Sequence, residues 1–182
     1  MQTAVKQHFK TNDIAYIGMF AALMAICSWI SIPTTVPFTL QTLEVFTAVG
    51  LLGGKRGTTA VLVYILMGAV GLPVFSGFTG GMGILFGSTG GYIIGFLASA
   101  LVMWAMEAMF GRKNLVLMCS MVLGLLVCYA FGTLWFIQVY TRTKGAVEFA
   151  TVLGWCVLPF VIPDLVKISM AMVLSHLRKY LK

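Results

Sequence analysis

The sequence predicts an all-α integral membrane protein with six transmembrane helices and both termini in the cytoplasm. Three observations carry this expectation. Of 182 residues, 60% are hydrophobic and only 9% are charged, with a mean hydropathy of +0.99, whereas a soluble domain has about 25% charged residues. The apolar residues come in runs long enough to cross a hydrocarbon core of roughly 30 Å. The basic residues fall in small groups at the ends of those runs. The length suits a single membrane domain, 1–182.

Taken in order, residues 1–13 (MQTAVKQHFKTND) are polar and read as a cytoplasmic tail. The run that follows is long enough to span, and no small-residue cleavage pattern closes it, so a signal peptide is not expected. The spans fall at about 14–32, 38–54, 57–73, 86–110, 114–140 and 150–177, so six spans occupy about 14–177, with 178–182 as a second cytoplasmic tail. The second and third are short and divided by GGKRG, which makes five the competing count. The fifth and sixth exceed a perpendicular crossing and predict tilt, kinks or protruding ends.

The charges test that count. Lys6, Lys10, Lys55, Arg56, Arg112, Lys113, Arg178, Lys179 and Lys182 all fall on one side of a six-span chain, against Arg142 and Lys144 on the other. Because cytoplasmic loops collect Lys and Arg, the richer side is the cytoplasm. The two non-basic connections, SIPTTVPFTLQ (31–41) and PVFSGFTGGMGILFGSTGGY (73–92), combine hydroxyl, glycine and apolar residues. Non-helical backbone at membrane depth survives only where protein or a cavity buries it, so these loops predict a lid on the outer side.

Within the apolar runs, Asp164 and Lys167 stand out in VIPDLVK. Each opposes insertion by about 2.5–3.5 kcal/mol at a helix centre. Their i, i+3 spacing puts them on one helix face, as a structural ion pair or as the acceptor and donor for a small polar ligand. Pro159 and Pro163 loosen the backbone beside them. A helix restarting near Pro163 would put Asp164 in its first turn. Glu107, near Arg112, reads as solvated, while Glu44 faces a cavity or caps the second helix.

Gly83, Gly87, Gly91 and Gly95, continued by Ser99, form a ridge of small residues that permits close helix approach, the earlier members alternatively bringing backbone amides near a ligand. Ala21 and Ala25, with Gly18 and Ala22, make a small face suited to internal packing or to docking another membrane subunit. Tyr92, Trp135 and Trp155 are candidates to stack on a ligand ring.

Several classes are excluded. GLLGGKR (50–56) is one residue short of a P-loop, with Arg56 where Ser or Thr is required, so no ATP site is expected. Cys27, Cys119, Cys128 and Cys156 are scattered and read as small buried hydrophobes, while His8 and His176 lie in the tails, so no metal site, disulfide framework or catalytic constellation is expected. The chain reads as neither an enzyme nor a channel. The net charge of +7 lacks the basic–aromatic face of a nucleic-acid binder. A proton-coupled transporter using Asp164 stays open.

Four pieces, PTTVPFTLQT (33–42), LGGKRG (52–57), GGMGILFGSTGGYIIGF (80–96) and PDLVK (163–167), occur in an order that resembles the BioY family, the biotin-binding S components of energy-coupling factor (ECF) transporters. The resemblance runs from the first span to the last. Ser88 replaces a proline more usual in the family's glycine-rich piece, which removes no chemical group. What the resemblance implies is a six-helix, multi-pass subunit of a prokaryotic cell membrane that captures biotin from outside. It implies no cofactor besides the transported biotin. The implied partners are a membrane coupling protein, contacted through Ala21 and Ala25, and two cytoplasmic ATPase subunits. For biotin itself, Asp164 and Lys167 would lead, supported by Gln41, Thr42, Gly81 and Tyr92. The alternative is a stand-alone or proton-coupled biotin transporter.

Overall fold

The computed structural model describes residues 10–180; the expectations for Lys6, His8, Lys182 and the outer parts of both tails lie outside them. The chain is helical almost throughout. Helix α1 (Thr11–Trp29) starts earlier than expected, because Asp13 accepts from the Lys10 backbone N–H at 3.0 Å and so caps a polar first turn. A two-stranded antiparallel ribbon follows, β1 (Ser31–Ile32) and β2 (Phe38–Thr39), pairing Ser31 with Thr39 and Ile32 with Phe38. Helices α2 (Gln41–Leu52) and α3 (Gly54–Ala69) come next, joined through Gly53. At φ 91° Gly53 occupies a backbone region that other residues avoid.

The glycine-rich segment folds into a turn and the short α4 (Met82–Leu85), so the next long helix, α5, runs only over Gly90–Phe110. Helix α6 (Asn114–Lys144) has 31 residues, about 46 Å at 1.5 Å each, and exceeds any perpendicular crossing. The expected last span is broken at Val157 into α7 (Phe149–Cys156) and α8 (Leu158–Ser175), followed by a 3₁₀ turn (His176–Tyr180). The break precedes Pro159 rather than coinciding with Pro163, so Asp164 sits in the second turn of α8, not the first. Pro163 is accommodated inside the helix, where it leaves the Pro159 carbonyl without its usual partner.

By length and composition four runs can each cross a membrane: Thr11–Trp29, Gly90–Phe110, Asn114–Lys144 and Phe149–Lys179. Helices α2 and α3, with 12 and 16 residues, reach only about 18 and 24 Å. The outward faces of the long helices are apolar, with Leu115, Leu134, Ile162 and Val173 all exposed. Water would not tolerate so extended an apolar surface, whereas lipid requires it. The chain is a multi-pass membrane protein.

The two ends of the bundle differ. At one end ion pairs tie the connections together. Arg56 pairs with Asp13 at 3.2 Å, Arg112 pairs with Glu107 at 3.1 Å, and Arg178 donates to the Arg112 carbonyl and the Asn114 side chain, both at 3.3 Å. Glu107, expected to be solvated, is therefore paired, and it also accepts from the Gly54 backbone N–H at 2.8 Å. The GGKRG amides thus serve the helix turn. At the other end lie both non-basic connections.

Glycines set the closest approaches. A Cβ on Gly57 would meet the α2 backbone at Val49 at 2.5 Å, and one on Gly91 would overlap the Trp135 side chain of α6. The ridge divides: Gly91, Gly95 and Ser99 pack α5 on α6, while Gly83 meets nothing and lies on α4. Ala21 and Ala25 are 0% and 4% exposed, buried as α1 packs on α2 and α3. The expected docking face therefore points inward, and the small residues that face outward on α1 are Ala15, Gly18 and Ala22. We expect Gly91→Ala to lower stability by about 1–3 kcal/mol through overpacking, read as a lower Tm in detergent. Gly18→Ala, with open space at its Cβ, should leave Tm unchanged or raised.

Candidate functional site

Helix α8 turns Phe160, Asp164, Lys167, Ile168, Ala171 and Ser175 inward at helical spacing. Most of that stripe is apolar packing, but Asp164 and Lys167 are 2% and 4% exposed, so both charges are removed from solvent and need internal partners. They find them. Lys167 Nζ donates to Asp164 Oδ1 at 2.7 Å, to the Thr39 carbonyl at 2.7 Å and to Thr42 Oγ1 at 3.1 Å. Thr42 in turn donates to Asp164 Oδ1 at 2.9 Å, and Tyr129 of α6 donates to Asp164 Oδ2 at 2.5 Å. The ammonium also lies 4.2 Å from the centroid of the Phe38 ring.

The three N–H donors of Lys167 are all engaged. A carboxylate offers about four acceptor positions, and three on Asp164 are occupied. The remaining one is on Oδ2, beside Tyr129.

Asp164 and Lys167 form part of the wall of a cavity of about 270 Å³, near the lower end of volumes that take one small organic molecule. The wall combines both non-basic connections (Val36, Pro37 and Thr39 from the first; Phe75, Ser76 and Thr79 from the second) with Tyr92, Ile93 and Phe96 of α5 and Phe160 of α8. Those two connections therefore meet over one space, as expected of a lid. The lining is mainly apolar and aromatic with one fixed ionic cluster, the composition of a site for a small, partly polar ligand.

The other expected residues separate clearly. Gln41 and Thr42 line the cavity. Gln41 donates through Nε2 to the Tyr64 hydroxyl, which donates to the Val74 carbonyl at 3.1 Å, so it also ties α2 to α3 and to the second connection. Tyr92 lines the cavity, with its hydroxyl 3.1 Å from Thr133. Gly81 does not: its N–H is committed to the Gly68 carbonyl at 2.7 Å, and its positive φ serves the turn. Trp135 donates to the Gly87 carbonyl and Trp155 packs near Tyr140, and neither forms part of the wall. Cys128 and Cys156 are buried cavity-wall residues, whereas Cys119 is exposed. Glu44 lies outside the wall, in the first turn of α2, its buried Oε1 without a hydrogen-bond partner among the described residues.

Tyr129 is the cavity-wall partner of Asp164 that the sequence does not single out. Its signal is partial: a phenol deep in an apolar run needs a partner, but nothing in the run shows that Asp164, already read against Lys167, supplies it.

Known proteins resemble this chain over nearly its whole length. The profile of the BioY family matches residues 1–182. The chain is 36% identical over 168 residues to the probable biotin transporter BioY of Pyrococcus horikoshii, covering 92% of this chain and 96% of that one. It is 40% identical over 159 residues to the biotin transporter BioY of Thermotoga maritima, covering 87% and 90%. The crystal structure of the S component for biotin from an ECF-type ABC transporter superposes with a TM-score of 0.79 at 25% identity, covering 94% of this chain and 95% of that one. From a family match over the whole length, supported by relatives of near-equal length and by the same fold, the chain belongs to the BioY family.

Proposed function

We propose that this chain is the biotin-capturing S component of an ATP-driven ECF transporter. In this reading six spans, α1, α2, α3, α5, α6 and the α7–α8 pair, sit in the plasma membrane with both termini cytoplasmic. The observation that carries it is the buried Asp164–Lys167 pair set in the wall of an otherwise apolar cavity. Biotin has a ureido ring with two N–H donors and a carbonyl, an apolar bicycle and a carboxylate tail. Asp164 Oδ2 keeps the free acceptor position that a ureido N–H requires, and a charge-assisted bond there is roughly twice as strong as a neutral one. Lys167 reaches the ureido carbonyl by releasing Thr42, the longest of its three bonds. Phe75, Phe96 and Phe160 supply apolar wall for the bicycle.

Biotin enters from the cavity end, opposite the arginine-bearing end, which the charge rule assigns to the cytoplasm. Transport energy comes from two partner ATPases, acting through a membrane coupling protein that docks on the outward Gly18 and Ala22 face of α1. A stand-alone transporter cycling a proton through Asp164 has less support, because both carboxylate oxygens accept hydrogen bonds and one faces an ammonium at 2.7 Å.

Titration calorimetry on the purified chain in detergent should show one-to-one biotin binding without ATPases, and none with riboflavin or thiamine. Biotin at 100 times its Kd should stabilise the fold by about 2.7 kcal/mol. Absence of binding to folded protein would remove the biotin assignment.

Tyr129→Phe deletes a hydrogen bond to a charged group, about 1.5–3 kcal/mol, and should weaken biotin binding by about tenfold to a hundredfold. Asp164→Asn and Lys167→Ala should each weaken it further. Intact binding in all three would place the site elsewhere.

For the partner face, Gly18→Leu or Ala22→Leu should abolish copurification with the coupling protein and leave biotin binding unchanged. Ala21→Leu, which overpacks the core, should instead lower Tm. The reverse pattern would return the docking face to Ala21 and Ala25.

A further inference from the structure

The cavity wall contributed by the second non-basic connection is held from an unexpected direction. Residues 73–81 leave α3 and fold back as a narrow loop. Phe75 and Thr79 exchange backbone hydrogen bonds at 2.9 and 3.3 Å, and the Thr79 hydroxyl donates to the Ser76 carbonyl at 2.9 Å. Phe75, Ser76 and Thr79 face the cavity. Phe75 is the loop's buried anchor, its ring against Tyr64 and seated where Gly68 has no side chain. The loop is bracketed by Gly71 and Gly81, at φ 100° and 97°, each with open space where a Cβ would stand. Their positive φ therefore meets a backbone requirement and not a packing one.

The tip is different. Phe78 has φ 57°, a region that bulky L-residues rarely occupy, and it is 64% exposed, so burial does not hold it there. Its ring stacks on the indole of Trp29, with centroids 4.9 Å apart and planes at 24°. Trp29 closes α1, and its Nε1 donates to the Pro73 carbonyl at 2.9 Å. The preceding Ser28 donates to the Val74 carbonyl at 2.6 Å. The last turn of α1 thus grips this loop at three points, Pro73, Val74 and Phe78, although no side chain of that turn lines the cavity.

We infer that Trp29 and Phe78 form a latch by which helix α1 holds the loop tip, Ser76–Thr79, over the ligand cavity. The inference builds on the proposed biotin site. Two features argue for a releasable contact and not a fixed one: the stack is exposed, and the loop ends carry glycines in left-handed conformations. The positive φ of Gly77 and Phe78 belongs to the turn that the Phe75–Thr79 pair closes. Trp29 lies on the same outward stripe of α1 as Gly18, Ala22 and Ile26, so whatever shifts that helix shifts the latch. Trp29 and Phe78 are positioning residues: they act on the ligand through the loop.

The test measures biotin dissociation by rapid chase from the purified full chain, alongside hydrogen exchange of residues 73–81 in ligand-free protein. Trp29→Ala and Phe78→Ala should each speed dissociation by about threefold to tenfold, the range expected for an aromatic pair. The double variant should be no faster than either single one, because both break one contact. Phe78→Tyr, which keeps the ring, should restore slow release. Exchange in the loop should rise in both Ala variants. Phe78→Ala alters only an exposed tip, so it remains informative where Trp29→Ala fails to fold. Unchanged dissociation and exchange, or additive effects in the double variant, would overturn the latch. If the parent chain binds no biotin, the proposed function fails, and the exchange measurement still decides the latch.

Discussion

Placing Asp164 and Lys167 inside a membrane protein is the constraint around which the rest of the structure is arranged. Neither charge can stay in an apolar interior alone, and each must be met by an opposite charge and by dipoles that fill its remaining hydrogen-bonding positions. The partners come from separated parts of the chain: Thr39 from β2, Thr42 from α2 and Tyr129 from α6. Satisfying one ion pair therefore fixes α2, α6 and the first non-basic connection relative to α8. A charge cluster bonded at all but one of its positions is rigid, and rigidity reduces the ordering cost of any binding beside it. Tightness at the cluster and space beside it are both needed.

The space arises from how the helices begin and end. Helices α2 and α3 fall short of the length of their neighbours, α4 is a single turn, and α7 and α8 are offset at Val157. These interruptions all concern the end opposite Arg56, Arg112 and Arg178, where two connections rich in hydroxyl and apolar residues fill the gap. Among the described residues the ionic end holds a space of only about 10 Å³, because Asp13, Glu107, Arg56, Arg112 and Arg178 draw the helix junctions together. Glycine backbones at Gly57 and Gly91 bring neighbouring helices close enough to seal the middle. The molecule is a cup, closed by charge at its base and by loops at its rim.

Much of this was legible in the sequence because membrane spans leave strong one-dimensional signals. Apolar run length, grouped basic residues and the isolated VIPDLVK pair each follow from the cost of placing a group in hydrocarbon, and that cost depends on residue type alone. The sequence is silent where direction in three dimensions matters. Ala21 and Ala25 turn inward, and because α1 is apolar on every side no polar stripe indicates which way a small residue points. Gly81 sits in a distinctive motif, but its amide donates to the Gly68 carbonyl at the end of α3. The break in the last span was expected near Pro163 and lies at Val157, since a proline can be absorbed inside a helix when neighbouring structure tolerates the lost bond.

By itself the sequence determined that the chain lives in lipid, that its charged ends gather on one side, and that Asp164 and Lys167 share a helix face. All three are set by local composition and by helix periodicity. The tertiary structure alone decided that Tyr129, Thr39 and Thr42 complete the ion pair, that Trp29 reaches Phe78, and that the outward small residues are Gly18 and Ala22. These depend on the rotation and offset of each helix about its axis. In an almost uniformly apolar chain, that rotation is set by side-chain packing and buried hydrogen bonds between residues 35 to 128 positions apart, which no local pattern encodes.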